Sequence, residues 1–381
     1  MKQNRTTAFT IIELLVVVSI IALLIGILLP AIGKARDAAK ESQSFTNLRN
    51  LGVAHQTYAA EHGDRQFTLI DDNLSSYGLN IQQALTGYDA AHGGQNHPSP
   101  ILGYGVDPPN YSDQFLFGYW QGPPDFSRSW AIQPIVYTVG FEVGAFRIAN
   151  VRQFNNYLSG RTQDKVFYAP KCEIQIDAIS HCFSEPTEVC SSANESTSQL
   201  SSQGTWPTYI LSPAAMFHPE VYRNLGDGGY QSPFSFGGGF RSPAMSQALH
   251  PSLKTHMLEH FWLQNTRSDC NPLFVGGTFD DCEPWYFNHD LESAPVTLFY
   301  DGHVDKVGVK EAQNADGRMI AQTTGLPGGP WGLWSRDTPL GPNGYFNNFN
   351  YPAQQGAIPE PDTSFHVLTT DGIRGRDVSA N

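Results

Sequence analysis

Phe9-Thr10-Ile11-Ile12-Glu13-Leu14-Leu15-Val16-Val17 opens an apolar run that reaches Pro30, behind an eight-residue leader carrying Lys2 and Arg5. The 19 residues from Leu14 to Ile32 contain no charge. As helix they reach about 28 Å at a rise of about 1.5 Å per residue. The hydrocarbon core is roughly 30 Å thick, so the length predicts a single membrane span. Glu13 sits at the rim of that span, where a carboxylate is costly unless a partner is supplied. It is therefore the first candidate functional residue, and the partner expected is a positive charge from another copy of the chain. A secretory signal has a shorter apolar core, about 7–15 residues, followed by a small-residue cleavage site. This run instead passes directly into the charged helix formers Lys34-Ala35-Arg36-Asp37-Ala38-Ala39-Lys40-Glu41.

The helix is expected to continue past the membrane. Phe45, Leu48, Leu51, Val53, His55 and Tyr58 recur at spacings near three and four, against polar Gln43, Asn47, Asn50 and Gln56, the pattern of an amphipathic helix. Gly63-Asp64 supplies a C-terminal stop. The reading is one helix from Phe9 to His62, about 80 Å long. Its first half is for lipid and neighbouring subunits, and its second half packs under a head.

The leader with Phe9-Thr10-Ile11-Ile12-Glu13-Leu14-Leu15-Val16-Val17 resembles the prepilin-type cleavage and methylation signal of type IV pilins and type II secretion pseudopilins. The resemblance implies that a prepilin peptidase cuts between Ala8 and Phe9 and methylates the new N-terminus. Glu13 becomes the fifth mature residue, with the family role of pairing with a neighbour's N-terminal amine. Pro30 falls where the family has a helix-kinking proline. The chain departs from the pattern at Ala8, where Gly is usual. The resemblance implies a single-pass protein of a bacterial inner membrane, N-terminus cytoplasmic and head extracytoplasmic. Its implied partners are the peptidase, other pilin-like subunits, an inner-membrane assembly platform and the membrane itself. Orientation rests on the resemblance, because Lys34, Arg36 and Lys40 beyond the span offset Lys2 and Arg5 before it. Asn47-Leu48-Arg49-Asn50-Leu51-Gly52-Val53-Ala54 through Tyr58 is also similar to the head-entering helix of a pseudopilin-like group. The expected organisation is a leader (1–8), a transmembrane and assembly half (9–33), an amphipathic half (34–63), a head (64–353) and a C-terminal tail (354–381).

Composition fits a loop-rich head with an aromatic core. Gly (36) and Pro (26) make about a sixth of the chain, beside 46 aromatic residues; a disordered chain is poor in aromatics. Loss of Lys2 and Arg5 with the leader takes the side-chain balance from −13 to −15. That acidity argues against nucleic-acid binding, which wants a basic face. The fold class expected is α+β: the long helix on an antiparallel head sheet with long irregular insertions. A second helix is read from Phe146 to Leu158, ending at Gly160. Strands are read at Lys165–Ala169, Trp206–Met216 and a hairpin, Val296–Tyr300 and His303–Val307, turning on Asp301-Gly302. This hairpin also resembles the pseudopilin-like group, which has a His, nine residues, then Asp-Gly. Here eleven residues stand between His289 and Asp301, and the turn alone accounts for the pair.

Four further sets of residues carry candidate chemistry. Among the cysteines, Cys270 and Cys282 bracket a short loop and form the expected disulfide; Cys172, Cys182 and Cys190 leave one further pairing open and one thiol over. Asp280, Asp281, Glu283, Asp290 and Asp301 are candidate calcium ligands, set against a plain acidic surface. His256-Met257-Leu258-Glu259-His260 is a literal His-x-x-Glu-His. On a helix its histidines would share one face and Glu259 would activate a metal-bound water, which makes a membrane-anchored zinc hydrolase the alternative function. The same residues also read as a strand running into Phe261-Trp262-Leu263. Trp285-Tyr286-Phe287 and Trp331-Gly332-Leu333-Trp334 are candidates for carbohydrate stacking, weighed against a place in the core. The leading expectation is a non-enzymatic pilin-like subunit with no required cofactor, assembled through its stem into a pilus or a secretion pseudopilus.

Overall fold

The computed structural model describes residues 10–68, 70–79, 81–93, 103–106, 114–120, 130–132, 146–147, 152–161, 164–172, 176, 180–186, 208–259, 294–335, 365–366 and 369–379. The elements are α1 (Ile11–Glu61), α2 (Ile81–Ala91), β1 (Gly103–Val106), β2 (Gln114–Trp120), β3 (Trp130–Ile132), β4 (Phe146–Arg147), α3 (Arg152–Asn155), β5 (Tyr209–Leu211), β6 (Thr255–Glu259), β7 (Val296–Phe299), β8 (Val304–Lys306) and α4 (Val309–Thr323), with several short 3₁₀ turns among the described residues. The chain is α+β. Strands β1, β2 and β3 form one antiparallel sheet, and β4 to β8 form a second in sequence order, every neighbouring pair antiparallel.

Helix α1 runs unbroken for 51 residues. Pro30 lies inside it and removes one backbone donor, the bond otherwise made to the Gly26 carbonyl. The helix closes at His62, with Gly63 and Asp64 both left-handed (φ 66° and 64°) and the Asp64 amide donating to the Ala59 carbonyl at 2.7 Å.

The second half of α1 lies across β5, β6 and β7. Its buried residues are Ser44, Asn47, Leu48, Leu51, Gly52, Ala54, His55 and Ala59, one stripe at helical spacing. Two positions differ from the sequence pattern. Val53 is 62% exposed and points away from the head, whereas Asn47 is buried. Asn47 can be buried because its amide finds acceptors: the carbonyls of Lys165 (3.2 Å) and Tyr168 (3.1 Å). At Gly52 the helix comes so close that an added Cβ would lie 2.9 Å from Leu298 Cδ2 of β7.

Other elements also depart from expectation. Phe146–Arg147 pairs with β5 as a strand edge, and the helix that follows is a single turn ending toward Gly160. Lys165–Phe167 is a 3₁₀ turn rather than a strand, capped by Asp164, whose carboxylate accepts from the Val166 amide at 2.9 Å. The 296–307 hairpin is present, but Asp301-Gly302 is not a two-residue turn. The Phe299 amide bonds the His303 carbonyl and only Gly302 has positive φ (88°), so three residues span the turn. Residues 365–366 and 369–379 supply buried side chains to the head, among them Phe365, His366, Thr369, Ile373 and Asp377.

Replacing Gly52 by Val should push Leu298 off its site and destabilise the head by about 1–3 kcal/mol. Urea unfolding of the detergent-solubilised protein checks this; an unchanged midpoint would mean that α1 does not seat on β7 as closely as described.

Candidate functional site

The site has two parts, the tip of α1 and its seat on the sheet. At the tip, Thr10 is the helix N-cap: its Oγ1 accepts from the Glu13 amide (3.2 Å), and Glu13 Oε2 accepts from the Thr10 amide (2.9 Å) and the Thr10 hydroxyl (2.9 Å). This reciprocal arrangement is a capping box. The signal for it is Thr-x-x-Glu within Thr10-Ile11-Ile12-Glu13, which sequence reading passed over in favour of Glu13 as a lone charge. Both contacts to the carboxylate use Oε2; among the described residues Oε1 has no hydrogen-bond partner. Glu13 is exposed, as is every residue from Thr10 to Ala39. Among the described residues one helix, α1, is long and apolar enough to cross a membrane, near the N-terminus.

The seat is polar. Ser44 donates to Glu259 Oε1, and its oxygen lies 2.9 Å from the Tyr209 hydroxyl; the Asn47 amide reaches that hydroxyl at 3.3 Å. The Val296 amide donates to Glu259 Oε2 at 3.0 Å. All of this is buried. Burial, opposed by the Ser44 and Val296 hydrogen bonds, pushes the Glu259 carboxyl up to about 7. Outside it, Glu41 pairs with Lys306 (2.9 Å) and Lys171 (3.9 Å) at the rim. A cleft of about 540 Å³ opens beside this turn, lined by Gln43, Asn47, Lys165, Tyr168 and Phe183 among others.

Three turns further along α1, His55 packs against His256, ring centroids 5.1 Å apart, with Phe154 and Phe67 on its other sides. Both rings are buried, and both His55 nitrogens and His256 Nε2 lack a hydrogen-bond partner among the described residues. Burial holds His55 down to about 3 and His256 well below its ordinary value, the latter helped by nearby His55, His366 and Lys254.

His256 to Glu259 of the His-x-x-Glu-His sequence form strand rather than helix. A bulge between Thr255 and Met257 turns His256 toward His55, and Glu259, three residues along an extended chain and so about 10 Å away, is held by Ser44 and Val296. His256 and Glu259 are thus apart, each used in packing against α1. His260 lies outside the described residues, as do Ala8, Phe9, Cys190, Cys270, Asp280, Asp281, Cys282, Glu283, His289, Asp290 and Trp285 to Phe287. Asp301 accepts from the His303 amide (3.1 Å) and contacts its ring nitrogen (2.5 Å), closing the hairpin turn. Among the described residues no group of three His, Cys, Asp or Glu side chains is placed to hold a metal. Cys172 is a buried free thiol, and Cys182 is disulfide-bonded. Trp334 is core, 2% exposed, while Trp331 is half-buried and lines a cleft that Arg223 also lines. No family model, no curated protein and no solved structure matches the chain.

The two buried sets give opposite pH dependences. Depressed histidines contribute stability that is present above about pH 6.5 and lost as pH falls toward 3. The raised carboxyl contributes stability that is present below about 4.5 and lost as pH rises through about 7. Between 4.5 and 6.5 two histidines outweigh one carboxyl, so urea-unfolding stability should climb with pH there. His55→Leu should flatten that climb by about 1.4 kcal/mol per pH unit. Glu259→Gln, whose amide oxygen still accepts from the Val296 amide, should gain up to about 3 kcal/mol at pH 8 relative to pH 4. A wild-type curve falling across pH 4.5–6.5 would contradict the assignment.

Proposed function

We propose that the chain is a pilin-like subunit that assembles through α1 and displays its head outside the membrane. The observation that carries the reading is the pairing of a bare apolar stem with one acid at its tip. The stem side chains from Ile11 to Ile32 are exposed, and among the described residues Glu13 Oε1 has no hydrogen-bond partner. In lipid, an isolated carboxylate is costly. A cation from a second copy would satisfy it, and the N-terminal amine created by a cut between Ala8 and Phe9 is such a cation. Oε2 would keep capping the chain's own helix while Oε1 takes the neighbour's amine. Stems then bury against one another, and a subunit offset from that register would leave both charges unpaired in low dielectric.

On this reading the leader is removed by a prepilin peptidase on the cytoplasmic side and Phe9 is N-methylated. The head stands in the extracytoplasmic space of a bacterial inner membrane, entering a pilus or a type II secretion-type pseudopilus from an inner-membrane platform. The protein acts by assembly rather than catalysis.

Two measurements test this. The intact mass and N-terminal sequence of membrane-extracted protein should show N-methylated Phe9 as first residue; a chain retaining Met1–Ala8 would make α1 an anchor only. Glu13→Gln, which can still accept from the Thr10 amide, should insert and be cleaved normally yet lose most filament incorporation, read by shearing and immunoblot. Wild-type incorporation of Glu13→Gln would remove the charge-pairing basis of the reading.

A further inference from the structure

At the far end of β6 from Glu259, Lys254 and Asp377 meet with no exposure of either side chain. Lys254 Nζ lies 2.7 Å from Asp377 Oδ2, and its other two donors go to the hydroxyls of Ser212 (2.7 Å) and Thr369 (2.9 Å). Asp377 is held from several sides. Its Oδ2 accepts from the Thr255 amide (3.0 Å) and hydroxyl (2.5 Å); its Oδ1 accepts from the His366 amide (3.1 Å) and the Thr369 hydroxyl (2.5 Å). Two opposite unit charges without water are expensive, because the desolvation of each ion is several kcal/mol and their attraction returns only part of it. The same atoms joined as an amide carry no net charge.

We propose that Lys254 and Asp377 condense to an intramolecular isopeptide bond. The arrangement supplies what the condensation needs. Thr369 Oγ accepts from the ammonium and donates to Asp377 Oδ1, so it relays one proton from nitrogen to that oxygen. The neutral amine then attacks Cγ, forming the C–N bond. The negative charge that develops on Oδ2 is met by the Thr255 amide and hydroxyl, fixed donors of the kind that stabilise an oxyanion. Oδ1 takes a second proton from the nitrogen, the Cγ–Oδ1 bond breaks, and water leaves. One ammonium and one carboxylate become one secondary amide and one water, with no oxidant or co-reactant. Burial draws the Lys254 ammonium below its ordinary pKa, which favours release of the first proton. The bond would tie residues 123 positions apart and fasten the C-terminal segment to the sheet strand that seats α1.

The test is a mass measurement on reduced, denatured full-length protein. The expected mass is one water, about 18 Da, below that of the processed chain. Trypsin should fail to cut at Lys254 and should release residues 242–267 joined to the peptide that begins at Asp377. Lys254→Arg keeps the ion pair but cannot condense, so it should show full mass and a separate peptide at 242–254. Thr369→Val should retain the pair and accumulate the cross-link more slowly after synthesis. Wild-type protein at full mass, cleaved at Lys254, would leave an ion pair and overturn the proposal. A loss of water retained in Lys254→Arg would place the modification elsewhere and overturn it equally.

Discussion

Helix α1 must satisfy two environments with one continuous backbone. From Ile11 to Ile32 its large apolar side chains are 45–83% exposed, an area of hydrocarbon that no water-facing helix of a single subunit would keep uncovered. From Ser44 to Ala59 the same helix gives its inner face to the head. The helix has to be continuous for both jobs, because every backbone polar group within a bilayer must be satisfied inside the segment. The capping box at Thr10 and Glu13 finishes that requirement at the tip by occupying amides that would otherwise face hydrocarbon. The described elements that pack on Ser44 to Ala59 hold this helix at one height and one rotation.

Apolar burial alone would hold it loosely in those coordinates. Leu48, Leu51 and Gly52 on Leu298 supply contact, but hydrophobic attraction is non-directional. Asn47 reaches two carbonyls and a hydroxyl, and Ser44 joins Tyr209 and Glu259. Sliding α1 by a turn would strand these groups in the core without partners, at roughly 1–3 kcal/mol each. The polar row thus fixes register, and burial raises the Glu259 carboxyl within it to about 7.

The stem, the helix stop at Gly63-Asp64 and the 296–307 hairpin were legible because each is a local pattern: an apolar run, a glycine with positive φ, alternating residues around a turn. Asn47 and Val53 were misplaced because hydropathy ranks them by type, while the choice was made by the Lys165 and Tyr168 carbonyls 118 and 121 residues away. His256 to His260 fits helix and strand equally on spacing, and the bulge that aims His256 at His55 depends on pairing with Phe299 and Leu298. Phe146–Arg147 shows the same limit: two residues become strand only because Ile210 and Leu211 offer an edge. Lys254 and Asp377 carried no sequence signal, since nothing local links them.

Strand β6 is where these long-range choices converge. Its last residue, Glu259, and the bulged His256 contact α1, while Thr255 and the adjoining Lys254 contact Asp377 and Thr369 near the other end of the chain. Only four residues therefore lie between Glu259 in the stem's seat and Lys254 at the C-terminal segment's anchor. A pull on α1 passes first into the Ser44–Glu259 bond and the Leu298 contact. From there it enters β6, whose ladders to β5 and β7 spread it across the sheet. Load then reaches Lys254 without crossing a loop. Strand β6 thus joins the residues that seat α1 to those that hold the C-terminal segment in one short extended run, so neither contact can shift far without the other.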